Sequence, residues 1–286
     1  MAISYTPLFA QVEYVKRIET ELKDGFVNES VLEFGEKGIM IRSRRKEKIN
    51  GQEEWLFQKL DTDLNKTKTS RFKIDKQYFL DEAITTDHRY FTLFQDKKDR
   101  YVLGNIGIEE MKFEKVSGTL PNKSRISDMV VMGDYAYAKA YIRKEPVLFI
   151  INWKTGKQKI IPIIIEGYNR KKIRVQNLQI LEEAKEVHLY VVAINSRKKS
   201  DLYILSMDSE GNKKEKFNFT EKIDKNIVDV SSNKLTSGKY VFTGTYSGYS
   251  ISGSEGLFFS QTTDSKVDYI EFYNFLLNFC INKLTI

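Results

Sequence analysis

The side chains in this chain that could do chemistry are few, and the most orderly of them are cations. Arg42, Arg44, Arg45 and Lys46 fall within "RSRRKEK", Lys97 and Lys98 within "DKKDR", and Arg143 stands beside Lys144. Arg197, Lys198 and Lys199 form a further cluster, and Lys123, Arg125 and the run Arg170, Lys171, Lys172 lie between the others. Lysine supplies a point charge and arginine a planar fork of donors, so such clusters can hold an anion. Other chemistry has thin support. The histidines are His88 and His188 and the single cysteine is Cys280, which leaves no intrachain disulfide and no complete metal site, so neither metal nor cofactor is expected. "DTDLN" at Asp61 to Asn65 alternates oxygen ligands as a calcium loop does, but lacks the glycine and the bidentate glutamate and reads as a polar turn. The Ser- and Gly-rich stretches "TGTYSGYS" and "SISGSEG" contain no G-x-S-x-G elbow, and "KTGK" reads as a hairpin turn, not a phosphate loop. Asp81, Asp128 and Asp229 are the weak candidates for the paired carboxylates of a hydrolase or lyase.

What must position these residues is a set of strands. The chain is 41% hydrophobic and 13% aromatic, rich in Tyr, Phe, Ile, Val and Thr and punctuated by short polar clusters, the composition of an all-β protein. Five apolar triplets recur: Trp55-Leu56-Phe57, Tyr101-Val102-Leu103, Val147-Leu148-Phe149, Leu202-Tyr203-Ile204 and Leu257-Phe258-Phe259, at offsets of 46, 46, 55 and 55 residues. Around each runs the same grammar of four short strands and turns, clearest in "RISDMVVMG", "YAYAKAYI", "PVLFIINWKTG" and "KQKIIPIII". Repeated four-stranded antiparallel units argue for a β-propeller-like array, each unit burying its faces against its neighbours. The expected units are 30–74, 75–121, 122–166, 167–220 and 221–275, within a repeat domain of 12–275, with the triplets packed between blades. Antiparallel order places the loops from strand two to three, and from strand four to the next unit, at one end of each sheet. Those loops carry the basic clusters, while "GEKG", "GD", "EEAKE", "DTD" and "IEE" belong to the other end. One face is therefore expected to be basic and to bind an anion.

Net charge is +7, with 46 basic residues interspersed among 39 acidic ones, and the pI is about 9.1. Such a balance suits an anionic glycan, lipid headgroup or protein partner better than nucleic acid, because the basic loops lack interleaved aromatics for base stacking. No stretch approaches the roughly 18 to 20 apolar residues of a membrane span. "MAISYTPLFAQ", residues 1–11, reads as the remnant of a secretory signal peptide, which places the protein in the periplasm, at the cell surface or outside.

"EFGEKGIMIRSR", "INWKTGKQKIIPI", "FTGTYS" and "SEGLFF" followed by "IEFYNF" resemble a family of uncharacterised secreted proteins of Bacteroidota with propeller-like repeats. The resemblance runs from about Val12 to Phe275 and implies fold and export, with no activity. It also implies a fragment, since the family continues with further repeats. "VEYVKRIE" at Val12 to Glu19 matches the fourth-strand phrase "VDYIEFYN" at Val267 to Asn274, and 276–286 reads as an aberrant tail. The expected result is an open or incomplete ring, whose uncovered blade edges invite self-association. The resulting functional expectation is a non-enzymatic exported binding or scaffold module.

Overall fold

The computed structural model of the chain describes residues 25–194, 200–219, 226–247, 256–263 and 266–274. Among them the secondary structure is twenty strands and two short 3-10 turns, at Gly35–Lys37 and Arg170–Lys172. Sheet one comprises β1 (Phe26–Glu33), β2 (Ile39–Arg45), β3 (Gln52–Leu60) and β4 (Lys66–Asp75). Sheet two follows with β5 (Tyr78–Thr85), β6 (Arg89–Asp96), β7 (Arg100–Gly107) and β8 (Phe113–Thr119). Sheet three is β9 (Ser124–Met132), β10 (Tyr135–Ile142), β11 (Glu145–Asn152) and β12 (Gln158–Pro162). Sheet four is β13 (Ile173–Leu181), β14 (Glu186–Ile194), β15 (Ser200–Asp208) and β16 (Lys213–Asn218). Sheet five is β17 (Asn226–Lys234), β18 (Tyr240–Ser247), β19 (Gly256–Thr263) and β20 (Lys266–Asn274). Every sheet is an antiparallel meander in chain order, so the fold is a propeller-like array of four-stranded repeats. No helix among the described residues is long and apolar enough to cross a membrane. The expected signal remnant, "VEYVKRIE" and the tail at 276–286 lie outside the described residues.

The chain divides into two compact units, Met1–Asp75 and Lys76–Ile286. In the first, sheet one stacks Trp55 and Phe57 of β3 on Phe72 of β4, with ring centroids 6.0 and 5.7 Å apart. In the second, neighbouring sheets bury apolar faces against each other. Phe91, Leu93, Tyr101 and Leu103 of sheet two meet Ala136, Ala138, Phe149 and Ile151 of sheet three. Tyr137, Leu148 and Ile150 of sheet three meet Val175, Leu189, Val191 and Leu205 of sheet four. Tyr190, Ile204 and Phe217 of sheet four meet Ile227, Phe242 and Phe258 of sheet five. Each full burial of a large apolar side chain contributes about 1.5–3 kcal/mol, so these three seams hold the second unit together. The five triplets all lie on third strands, β3, β7, β11, β15 and β19. Their expected packing needs one correction. Phe258 faces the seam, but Leu257, pointing to the opposite face by strand alternation, is 47% exposed.

A further regularity unites the sheets. Each first strand carries one residue more than its partner, at Glu29, Asp81, Ser127–Asp128, Gln176 and Val228. Such a bulge bends the strand and increases its twist. In the second unit the first strands β5, β9, β13 and β17 contact one another in series. The candidate acids therefore fall on inner strands: Asp81 and Asp128 at the bulge, and Asp229 one residue past it.

Candidate functional site

Where sheets three and four adjoin, a cleft of about 490 Å³ is lined by Lys123, Arg125, Ser127, Tyr141, Lys144 and Arg174. Arg125 of β9 and Tyr141 of β10 are cross-strand partners, which sets their Cβ atoms about 5 Å apart. Ser127 follows Arg125 by two residues and shares its strand face. Lys144 comes from the two-residue hairpin between β10 and β11, and Arg174 is the second residue of β13. The start of β9 is fixed from sheet two. The amides of Lys123 and Ser124 donate to the Asp99 carboxylate at 3.1 and 3.0 Å. Gln95 Nε2 donates to the Ser124 carbonyl at 3.0 Å, and its Oε1 accepts the Ile126 N–H at 3.4 Å. From sheet four, the Val175 N–H donates to the Tyr141 hydroxyl oxygen at 3.2 Å. Arg174 Nη1 donates to the carbonyls of Lys171 and Ile173 at 2.8 and 3.1 Å, which anchors that guanidinium by one nitrogen.

The electrostatics separate this cluster from the paired arginines of the molecule. Arg44 pairs with Glu53, Arg45 with Glu54 and Arg170 with Glu145, each at 2.7 Å, and Arg100 pairs with Asp96 at 2.6 Å. Lys123, Arg125, Lys144 and Arg174 have no carboxylate within salt-bridge distance among the described residues. Four cations lining one cleft make a local positive potential that attracts an anion. The backbone also concedes something to place them. Lys123, Arg143 and Lys144 hold positive φ of 66°, 51° and 73°, a region that costs a non-glycine residue on the order of 1 kcal/mol.

The other sequence candidates are scattered. Arg42, Arg44 and Arg45 belong to the first unit and lie on strand β2, not in a loop; Arg42 lies over the Trp55 ring at 5.0 Å and Arg45 over Phe26 at 4.7 Å. Burial alone would raise the Glu54 carboxyl, but the Arg45 hydrogen bond, with Arg45, Arg71 and Lys73 charges, outweighs it and holds the group low. Lys46, Lys97, Lys98, Lys171 and Lys172 are exposed, as is Arg143. Arg197, Lys198 and Lys199 lie outside the described residues. Of the acids, Asp128 pairs with Lys139 at 3.6 Å, whose Nζ also donates to the Gln176 carbonyl at 3.2 Å across the neighbouring bulge. Asp229 is exposed and accepts the Val230 N–H at 2.9 Å. Strand β13, with Gln176 at its bulge, contacts both β9 and β17, so the inner strands do not set Asp128 beside Asp229. In "DTDLN" the Asp61 carboxylate accepts the Asn65 N–H at 2.8 Å and closes a turn. No cluster of three or more His, Cys, Asp or Glu able to hold a metal occurs among the described residues.

One polar cluster escaped sequence reading. Glu186, assigned to an acidic rim, is fully buried on β14. It accepts from Tyr240 at 2.6 Å and from Ser206, Lys214 and Lys234 at 2.9 Å each, with His188 Nε2 at 3.4 Å. His188 Nδ1 lies 2.8 Å from Ser232 Oγ, which lies 2.6 Å from the Tyr190 hydroxyl. Ser232, His188 and Glu186 thus share the connectivity of a nucleophilic triad. Their exposures are 1%, 0% and 0%, so a substrate cannot reach the hydroxyl, and the cluster is a buried polar seam between sheets four and five. His88, by contrast, is exposed in the turn before β6.

No protein-family model matches the chain, and no curated protein matches it in sequence. Among solved structures it is similar to a protein from Lactobacillus plantarum, at 11% identity and a TM-score of 0.45, over 82% of this chain and 67% of that one. It is similar also to an uncharacterized protein from Listeria monocytogenes EGD-e, at 11% identity and 0.48, over 91% of this chain and 70% of that one. The tricorn protease matches at 13% identity and 0.49, over 85% of this chain but 23% of its own.

Proposed function

We propose that this chain is an exported, non-enzymatic binding module that holds an anionic glycan, lipid headgroup or protein group in the basic cleft of its second unit. The observation that carries the proposal is the convergence of Lys123, Arg125, Lys144 and Arg174 on one cleft without a carboxylate among them. Exposed Lys97, Lys98, Arg143, Lys171 and Lys172 on the same class of loops extend the positive field around it. Export is supported by the signal-like residues 1–11 and by the resemblance to secreted Bacteroidota proteins.

Retention on a phosphocellulose column tests it. Reversing all four charges (K123E, R125E, K144E and R174E) should abolish retention, which in the unaltered chain should fade as salt shortens the Debye length to about 8 Å at physiological strength. Reversing exposed Lys115, Lys157, Lys185 and Lys213 changes net charge equally and should leave a substantial fraction bound. Equal loss from both sets would show that net charge alone is responsible.

A further inference from the structure

We infer that the cleft is selective for a tetrahedral oxyanion ester, a phosphate or a sulfate carried on a larger molecule, over a carboxylate. This rests on the reading of the cleft as an anion site and narrows its ligand. The lining is donor-rich and acid-free: two ammonium groups, two guanidinium forks and the hydroxyls of Ser127 and Tyr141. A carboxylate is planar with two oxygens and one negative charge. A phosphate or sulfate ester presents three terminal oxygens in a pyramid, and so can accept from donors arriving from three directions. Here they arrive from β9, from the β10–β11 hairpin and from β13.

Two details fix the donors before any ligand arrives. The Tyr141 oxygen already accepts the Val175 N–H, so its own hydrogen remains to be donated elsewhere. Arg174 spends Nη1 on two backbone carbonyls, which holds its plane while Nε and Nη2 stay available. Preorganisation of this kind reduces the ordering cost of binding and favours the ligand shape that meets the donors as they stand. The cleft carries four formal positive charges against the two of a phosphate monoester, which suits a ligand bearing more than one ester.

Titration calorimetry at low salt with glucose 6-phosphate, glucose 6-sulfate and glucuronate tests the selectivity, because the three probes share a sugar ring and differ in the anion. The esters should bind about ten-fold more tightly than glucuronate, the effect of roughly one additional charge-assisted hydrogen bond. Tyr141→Phe should weaken ester binding several-fold and glucuronate binding less, which narrows the difference between the probes. Ser127→Ala gives a second reading should loss of the Val175 acceptor disturb the fold of Tyr141→Phe. Preference for the phosphate over the sulfate identifies the source of the ester, and either preference supports the inference. Equal affinity for all three probes, with binding still lost on charge reversal, overturns the ester selectivity while leaving the anion-binding function standing. No binding of any probe, together with phosphocellulose retention indifferent to charge reversal at the cleft, overturns both.

Discussion

Glu186 shows how one residue can mislead a sequence reading and then organise an interface. A buried carboxylate is tolerated only when its lost hydration is replaced by donors, and here four side chains supply them at 2.6–2.9 Å. Burial by itself would raise the Glu186 carboxyl, but hydrogen bonds from His188, Tyr240, Lys214 and Lys234 prevail and hold it well below the usual carboxylate range. Glu186→Gln should therefore destabilise the second unit by about 1–3 kcal/mol, the cost of losing charged hydrogen bonds at a buried position whose cations, Lys214 and Lys234, stay partly exposed. Urea unfolding checks this, and a loss under about 1 kcal/mol would mean that the lysines rehydrate freely. Anion retention of the folded variant should be unchanged, because none of the cluster lines the cleft. Within "EEAKEVHLYVV" the charge run dominates the eye. The available signal was the spacing Glu186, His188, Tyr190, which on a strand sets three polar groups on one face.

At the level of the element, local rules were legible and departures from them were not. Alternation in "YAYAKAYI" and turn residues in "NWKTGK" mark β10 and the β11–β12 hairpin, where Asn152 Oδ1 accepts the Thr155 N–H at 2.9 Å and Gly156 takes φ of 74°. The bulges carry no common residue type, since Glu29, Asp81, Asp128, Gln176 and Val228 share only position. The β10–β11 hairpin is the informative departure. Its two loop residues, Arg143 and Lys144, both have positive φ, a conformation suited to Asn-Gly. The β2–β3 hairpin meets the same requirement with Asn50 and Gly51, at 52° and 75°. Replacing Arg143 by Asn and Lys144 by Gly should raise unfolding free energy by about 1 kcal/mol, the relief of left-handed strain. The same double variant should lose anion retention. Stabilisation with retention intact would remove Lys144 from the site, and destabilisation would show that the two side chains support the fold instead. The cleft itself was half legible: Lys123 and Lys144 stand out as loop charges and Arg125, read with them, lies instead on β9, whereas Arg174 and Tyr141 lie in ordinary strand alternation. Their convergence depends on β13 adjoining β9 and β10, a relation between sheets that no local pattern encodes.

Across the whole molecule, the groups whose ionisation folding perturbs form two opposed sets, and together they fix the pH range of stability. Asp96, Asp208 and Glu186 in the second unit, and Glu54 in the first, are held below their ordinary values of 3.8 for Asp and 4.5 for Glu; in each, hydrogen bonds or nearby cations outweigh the upward push of burial. A depressed carboxyl contributes stability that is present above the unfolded value and lost as pH falls toward the folded one. The native state resists protons that the unfolded chain accepts. Each such proton costs about 1.4 kcal/mol per pH unit, and the growing positive charge of a chain already at +7 adds self-repulsion. Tyr101 and Tyr240 behave oppositely. Burial pushes both phenols up to about 12 from 10.0, and Lys234 is raised above 10.5 because its bonds to Tyr240 and Glu186 outweigh burial. Raised groups contribute stability that is present below the unfolded value and lost as pH climbs through the folded one. The urea midpoint should therefore be flat from about pH 5 to 9.5 and fall on both sides, steeply below pH 4 and again between about 10 and 12. Glu186→Gln should flatten the acid limb and leave the phenol-driven loss in place. A midpoint that kept rising below pH 4, or an acid limb of the same slope in that variant, would show that these carboxylates are not what holds the folded state together in acid.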